Sequence, residues 1–433
     1  MSEKLLFGVG RADITPKVGG NLYGYRPDLI SNAVNDSLYA TAFYFEQGET
    51  KALLISATLC LISTPLASAL RKAISEKFGI PYSNVIIHAT HTHSGPNTAG
   101  NEGWGEVDGE YVDGILYPAM MNAVGEAVAE PKPVKLKITS GISLVGINRR
   151  QLNLDNSIGL GQNPWGPFDP KMTVISFVSE GKSLASIVHY GAHGTACGPN
   201  HEVSRDWSGV MTDRLEALGG GVTAFFNGPE GDVGPRLTNG LTIGDLTPKY
   251  AMELGAVAAQ DAVAIFKQNA PLVDGALTVS ERLIKIPLQS RVALGEAKEM
   301  LKKYEGKTVN IEGRMKLYYE KVIASYESGY EEKTYVGFPE TVLSLGEVAF
   351  VTTPYELFSE IGMRIAQASP YAYTLTLSNT NGSESYFVTE DSICRGGYEV
   401  GMFLTSNVQP YVPNADHHAV VGTVEHLKNI KEG

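Results

Sequence analysis

Cysteine is scarce in this chain. The three present, Cys60, Cys197 and Cys394, lie far apart and form no C-x-x-C pair, which excludes a disulfide framework and leaves reduced thiols as the expectation. Basic charge is scarce as well. Against 47 Asp and Glu stand 35 Lys and Arg, giving a formal net charge of −12, and no Lys/Arg-rich run offers a local exception. Nucleic acid is therefore excluded as a partner class. No apolar run approaches the ~20 residues that a membrane-spanning helix needs, so no integral membrane segment is expected. The opening Met1-Ser2-Glu3-Lys4-Leu5-Leu6 lacks a basic segment followed by a hydrophobic one. No export signal is expected from it, and a cytoplasmic location is. Sequence repeats and low-complexity tracts are missing too.

Histidine, by contrast, is concentrated. Five of the nine stand in two places. Val85-Ile86-Ile87-His88-Ala89-Thr90-His91-Thr92-His93-Ser94-Gly95-Pro96 is an apolar run that reads as a buried strand and ends in three histidines before a Gly-Pro break. Ser186-Ile187-Val188-His189-Tyr190-Gly191-Ala192-His193-Gly194-Thr195 repeats the design. Imidazoles at strand ends, on turns kept open by small residues, are placed as metal ligands or acid/base groups are.

Around these runs strands and helices alternate. Strands are expected at 38–46, 51–57, 173–179, 184–190, 341–352 and 373–378. Helices are expected from Leu66 to Phe78, Tyr111 to Glu130, 208–218, 249–268 and Tyr355 to Ala368. The whole reads as one large α/β domain, 1–433, with mixed β-sheets flanked by helices. Residues 292–328 read as a helical insertion or lid. The Gly/Asn/Pro-rich stretch from Asn148 to Pro170 is long for a loop, a property often tied to function.

A zinc site needs three or four N, O or S donors converging from different elements. The two histidine runs supply two, and acidic or phenolic residues at strand–helix junctions are the remaining candidates. Thr352-Thr353-Pro354-Tyr355-Glu356-Leu357-Phe358 is such a junction, although the residues alone favour the plainer reading, in which an acid in a first helical turn answers the helix dipole. His88 and His189 read as core histidines, and Cys197 as a small apolar filler.

Several motifs, in order along nearly the whole chain, resemble the neutral/alkaline ceramidase family of zinc-dependent amidases. Gly8-Val9-Gly10-Arg11-Ala12-Asp13-Ile14-Thr15-Pro16 is similar to the family's opening G-x-A-D-I-T-P, and Asp36-Ser37-Leu38-Tyr39-Ala40 continues the match. Ala89-Thr90-His91-Thr92-His93-Ser94-Gly95-Pro96 matches A-T-H-T-H-S-G-P. His193-Gly194-Thr195, Asp206-Trp207-Ser208-Gly209, Pro354-Tyr355-Glu356-Leu357-Phe358 and Ser385-Tyr386-Phe387-Val388-Thr389 with Tyr398-Glu399 resemble its later motifs.

The resemblance implies that His91, His193, Glu356 and Tyr386 hold Zn2+, with His93 beside them for proton transfer or oxyanion contact. Zinc-bound hydroxide would then cleave an amide, N-acyl bond; an ester or lactone hydrolase, or a non-catalytic metal-containing binding protein, are the alternatives. Asn148-Arg149-Arg150-Gln151 resembles the family's N-R motif, so Arg149 and Arg150 are expected to clamp a carboxylate or phosphate, or else to form a structural salt bridge. Asp13 is expected to cap a turn and Asp206 to support the His193 ring.

Two departures from the pattern matter. The family's catalytic serine in G-D-x-S-P is replaced here, since the chain reads Gly231-Asp232-Val233-Gly234-Pro235-Arg236. Gly234 has no side chain to attack or donate, so Asp232 is the expected acid/base helper, and Gly234 and Arg236 are expected to contact substrate. No counterpart of the family's C-terminal immunoglobulin-like domain is expected either, and the expected substrate is a soluble small-molecule amide or ester. Oligomeric state is left open.

Overall fold

Three stretches of chain build the same unit, although no repeat is visible in the sequence. The computed structural model describes residues 3–101, 104–237, 247–307 and 310–432. In the first unit, Leu6–Asp13, Tyr39–Gln47 and Thr50–Ala57 run antiparallel in order. The helix Thr64–Phe78 then carries the chain to Val85–Ala89, which pairs parallel to Thr50–Ala57. The second unit has Lys135–Ile142, Lys171–Ser179 and Lys182–Tyr190, then the helix Asp206–Leu215 and the parallel strand Val222–Asn227. The third has Leu277–Pro287, Tyr335–Leu345 and Val348–Thr352, then the helix Ser359–Ala368 and the parallel strand Tyr373–Leu377. A further helix covers each sheet: Tyr117–Ala129, Lys249–Phe266 and Ala415–Glu432.

Packing follows from this repetition. One face of each sheet enters a shared core in which Phe7, Phe43, Ile175, Phe177, Phe226, Leu343 and Phe350 meet. Phe7 and Phe177 stack with ring centres 4.2 Å apart, joining the first two sheets. The outer faces are covered by the helices, which gives each sheet an apolar cluster of its own. Strands buried on both faces must be apolar almost throughout, as Val85–Ile87 and Ile187–Val188 are. Local signals agree: Ser63 caps Thr64–Phe78 by accepting from Leu66 N, Pro65 stands in the first turn, and Gly79 closes it at φ 64°.

The architecture is the expected α/β arrangement of mixed sheets and flanking helices, with two adjustments. The expected strand 341–352 is two strands, because Gly346 at φ 64° turns the chain back. The expected helix from Tyr355 begins only at Ser359; Glu356–Leu357 is instead a short strand paired parallel to Tyr386–Phe387. Residues 292–328 form two helices, Leu294–Lys303 and Asn310–Glu327, packed on each other with Tyr304 and Tyr319 stacked. The long stretch from Asn148 carries a small hairpin, Arg150–Leu152 with Ile158–Leu160.

In each unit the carboxyl ends of the parallel strands point the same way functionally: the histidine runs, the Gly-rich loop 227–235 and the Glu356 segment all follow such strands. Crevices at the carboxyl ends of parallel strands are where open α/β sheets place ligands.

Candidate metal centre

The two histidine runs are tied to each other by their backbones. Thr92 and Gly194 form a parallel bridge, His93 N donates to Gly194 O at 3.0 Å, and Gly194 N donates to His91 O at 3.3 Å. Gly194 is obligatory, since a Cβ there would lie 2.8 Å from His91 O and 2.9 Å from Thr92 Cα. His91 itself stands at φ 67°, a strained conformation for a non-glycine residue that the surrounding contacts impose.

Ring orientation is fixed from behind. His91 Nδ1 lies 3.0 Å from Cys60 O, and His193 Nδ1 lies 2.9 Å from Glu230 O and 3.1 Å from Val233 O. Protons on these Nδ1 atoms leave both Nε2 atoms free to ligate. The Nε2 atoms of His91 and His193 stand 3.3 and 3.2 Å from Glu356 Oε2. Tetrahedral donors about 2.0–2.1 Å from a zinc ion would stand roughly 3.3 Å apart. His193 Nε2 and Glu356 Oε2 are sealed from solvent and make no hydrogen bond. Buried polar atoms left this way ask for a partner that is not protein. The donor set therefore fits a metal ion.

Tyr386 completes the expected set through the ladder with Glu356. Its hydroxyl accepts from Arg149 Nη2 at 3.1 Å. His93, the most accessible of the three rings, places Nε2 3.2 Å from His91 Nε2. Its pKa is held well below the ordinary value by burial and by the neighbouring His91 and His193, so it is a neutral imidazole. Burial opposes charge on His91, but Glu356 overrides it and holds its pKa well above the usual value. Glu356 is held well below its own usual value despite burial, chiefly by His91. His193 is pushed down to about 3 by burial, with Arg149 and His91 adding to it. The carboxylate therefore shares its proton with His91 and not with His193.

The other expected site residues are placed as follows. Both guanidiniums of the Asn148-Arg149-Arg150 segment reach one carboxylate: Arg149 Nε donates to Glu399 Oε1 at 2.9 Å and Arg150 Nη1 to Oε2 at 2.7 Å. Arg150 spends Nη2 on Gly396 O. Gly234 backs onto Arg149, whose Cβ a new side chain would meet at 3.4 Å. Asp232 is buried, with Oδ1 accepting from Ser359 N at 2.7 Å and Oδ2 from Asn148 Nδ2 at 3.1 Å. Burial pushes its pKa up to about 6. The structure thus gives Asp232 a positioning role in joining loop 227–235 to Ser359. Arg236 is turned away, donating to Leu144 O and Gly146 O.

Asp206 does not reach the His193 ring, contrary to expectation. It accepts from Ala196 N, Cys197 N and Trp207 N, and Trp207 Nε1 in turn donates to His193 O, so support reaches the backbone of His193 only. Asp13 accepts from Thr15 N at 2.7 Å, capping its turn as expected. His88 is a core histidine whose Nε2 accepts from Asn227 N, and His189 is held by Thr376 O.

Two neighbours escaped the sequence reading. Cys60 puts Sγ 3.8 Å from His91 Nδ1, and only its apolar surroundings mark it in the sequence. Glu230 is fully buried, receives Asn379 Nδ2 at 2.7 Å and has its pKa pushed up to about 8, chiefly by burial. An acid inside the Gly-rich loop was the available signal.

Residues 5–269 match the model of the neutral/alkaline non-lysosomal ceramidase family, N-terminal region. The chain belongs to this family. Similar curated proteins include neutral ceramidase A of Dictyostelium discoideum, 28% identical over 270 residues (56% of this chain, 37% of that protein). Neutral ceramidase of Mycobacterium tuberculosis is 27% identical over 277 residues (55% and 41%). The chain thus matches about two fifths of the length of these relatives. The crystal structure of neutral ceramidase from Pseudomonas aeruginosa has the same fold, with TM-score 0.76 over 100% of this chain and 75% of that one at 20% identity. A ceramidase complexed with C2 superposes at TM-score 0.75 and 19% identity, covering 99% of this chain and 76% of that one. Among the described residues no helix is long and apolar enough to cross a membrane.

Proposed function

We propose that this chain is a zinc-dependent hydrolase that cleaves the amide bond of a small N-acyl substrate. The observation that carries the reading is the convergence of His91 Nε2 and His193 Nε2 on Glu356 Oε2, at 3.3 and 3.2 Å, with two of these buried atoms lacking any hydrogen bond. Family membership supports amide chemistry, and an all-N/O donor set of two imidazoles, a carboxylate and a phenol suits zinc.

His91, His193, Glu356 and Tyr386 would hold the ion. When bound, it would lower the pKa of a ligated water to about 7 and polarise the acyl carbonyl. The chain's own residues do the rest. Neutral His93, beside His91 and open to solvent on one side, accepts a proton from the attacking water and returns it to the leaving nitrogen. Arg149, fixed by Glu399, holds the Tyr386 hydroxyl in place. Gly234 contributes no side-chain nucleophile, so attack rests on water.

The test is elemental analysis of the purified protein beside His91→Ala, followed by a panel of N-acyl amides and matching esters. About one zinc per chain, lost in the variant, with turnover of amides that is lost along with it, is the expected result. Tight zinc binding with no hydrolysis of any amide or ester would make the chain a binding protein and overturn the hydrolase reading.

A further inference from the structure

Two guanidiniums next to the metal centre depend on one carboxylate. Arg149 and Arg150 share the single carboxylate of Glu399, and all three side chains are buried. Among the described residues no other carboxylate bonds either guanidinium: Glu356 faces His91 and His193, Asp232 accepts from Asn148 and Ser359, and Glu230 accepts from Asn379. Two guanidiniums therefore lean directly on one carboxylate, in a buried place where each N–H needs a partner.

The unspent donor is on Arg149. Arg150 has spent Nη1 on Glu399 and Nη2 on Gly396 O. Arg149 has spent Nε on Glu399 and Nη2 on Tyr386, whereas its Nη1 has no partner among the described residues and is not among the sealed-off polar atoms. Tyr25, His93, His193, Glu356 and Tyr398 all lie within electrostatic reach of Arg149. Where the family pattern has a serine, Gly234 leaves the space beside the Arg149 stem unfilled, with nothing nearer to its missing Cβ than Arg149 itself.

We infer that Arg149 Nη1 is the anchor for a carboxylate on the substrate, and that the substrate is an N-acyl amino acid. The inference rests on the amide-hydrolase reading and narrows it. Arg149 Nη2 is 3.1 Å from the Tyr386 hydroxyl, so the guanidinium adjoins the place where the acyl carbonyl must sit. In an N-acyl amino acid the carboxylate carbon is three bonds from that carbonyl carbon, a reach that suits an adjoining group. Water adds across the C–N bond. Its hydroxyl goes to the acyl carbon and its proton to the amino nitrogen, releasing a carboxylic acid and a free amino acid whose carboxylate stays on Arg149 until it leaves. A planar guanidinium with a free N–H is the group best suited to a carboxylate.

The experiment uses the zinc-loaded chain and two probes that differ only in charge, N-octanoyl-glycine and N-octanoyl-glycinamide. Both kcat/KM and equilibrium binding are measured. The glycine probe is expected to be preferred at least tenfold in each. Gly234→Asp places an acid against Arg149 and should erase the preference, whereas the equally bulky Gly234→Asn should keep it; zinc content is checked in both. Equal or better use of the glycinamide by the unaltered protein overturns the carboxylate anchor and leaves the hydrolase reading standing. Hydrolysis of neither probe counts against the hydrolase reading, and the binding ratio then still decides the anchor. A preference that survives Gly234→Asp overturns it as well.

Discussion

Glu356 and Tyr386 are direct register partners in a parallel ladder of two residues per strand. Thirty residues apart in sequence, they are set side by side by backbone pairing, so the carboxylate and the phenol are delivered to the metal centre as one unit. Glu356 N donates to Ser385 O, and Gly231 N donates to Leu357 O from the other side. This pairing is why the helix after Pro354 starts late. The dipole explanation for an acid at that junction falls with it.

Glu356→Ala should therefore remove the metal without unfolding the chain. The ladder bonds are backbone bonds and survive the substitution. Metal affinity should drop by more than the roughly 10–100-fold that loss of an outer supporting group costs. Elemental analysis and circular dichroism on the same sample check it; full metal retention would contradict the assignment of Glu356 as a ligand.

Metal affinity should climb with pH. In the metal-free protein Glu356 holds a proton on His91, whose pKa is raised, and ligation must displace that proton. The sign follows for stability as well. His91, raised, contributes below about 6.5 and loses its contribution as pH rises through its folded pKa. Glu356, lowered, contributes above about 4.5 and loses it as pH falls through its own. Zinc titration against a competing chelator at pH 6, 7 and 8 should show affinity rising by up to about tenfold per pH unit. A flat profile would mean that His91 carries no proton to displace.

Much of this site was legible because its donors sit in local patterns. An apolar strand running into His91 and His193 is a signal contained in ten residues, and buried strands must be apolar to form. Glu356 was one candidate at a strand–helix junction and was assigned, like Tyr386, only through family resemblance, since a two-residue ladder between segments thirty residues apart leaves no periodicity. Glu230, Cys60 and the sharing of Glu399 by two arginines are products of tertiary packing. The threefold use of one sheet-and-helix unit was also hidden, because buried apolar positions in each unit accept many different side chains while keeping the same topology.

Gly194→Ala should damage the centre although residue 194 ligates nothing. The added methyl would stand 2.8 Å from His91 O and 2.9 Å from Thr92 Cα, both backbone atoms that cannot swing away. The bridge between the two histidine runs must then widen, separating two ligands that need to stay in register. Zinc affinity should fall at least tenfold, with a stability loss of about 1–3 kcal/mol, in the range of overpacking. Chelator competition and thermal unfolding test the two effects separately; unchanged values in both would show that the bridge does not set the ligand spacing.

A second polar network, remote in sequence from the ligands, tests whether stability and metal binding can be separated. His426 Nδ1 lies 2.9 Å from Glu340 Oε1, its Nε2 lies 3.0 Å from Ser280 Oγ, and Thr423 Oγ1 donates to Glu340 Oε2 at 2.6 Å. These contacts fasten the helix Ala415–Glu432 to the strands Leu277–Pro287 and Tyr335–Leu345. His426→Ala leaves one oxygen of buried Glu340 without its partner, which should cost about 1–3 kcal/mol. Ser280→Ala should cost less, since Ser280 is only half-buried and has solvent as an alternative. The double variant should lose less than the sum of the two, because removing His426 already deletes the bond that Ser280 makes. Zinc content and zinc affinity should be unchanged throughout, since none of these residues touches His91, His193, Glu356 or Tyr386; a loss of zinc in His426→Ala would mean that docking of the C-terminal helix is coupled to the metal centre.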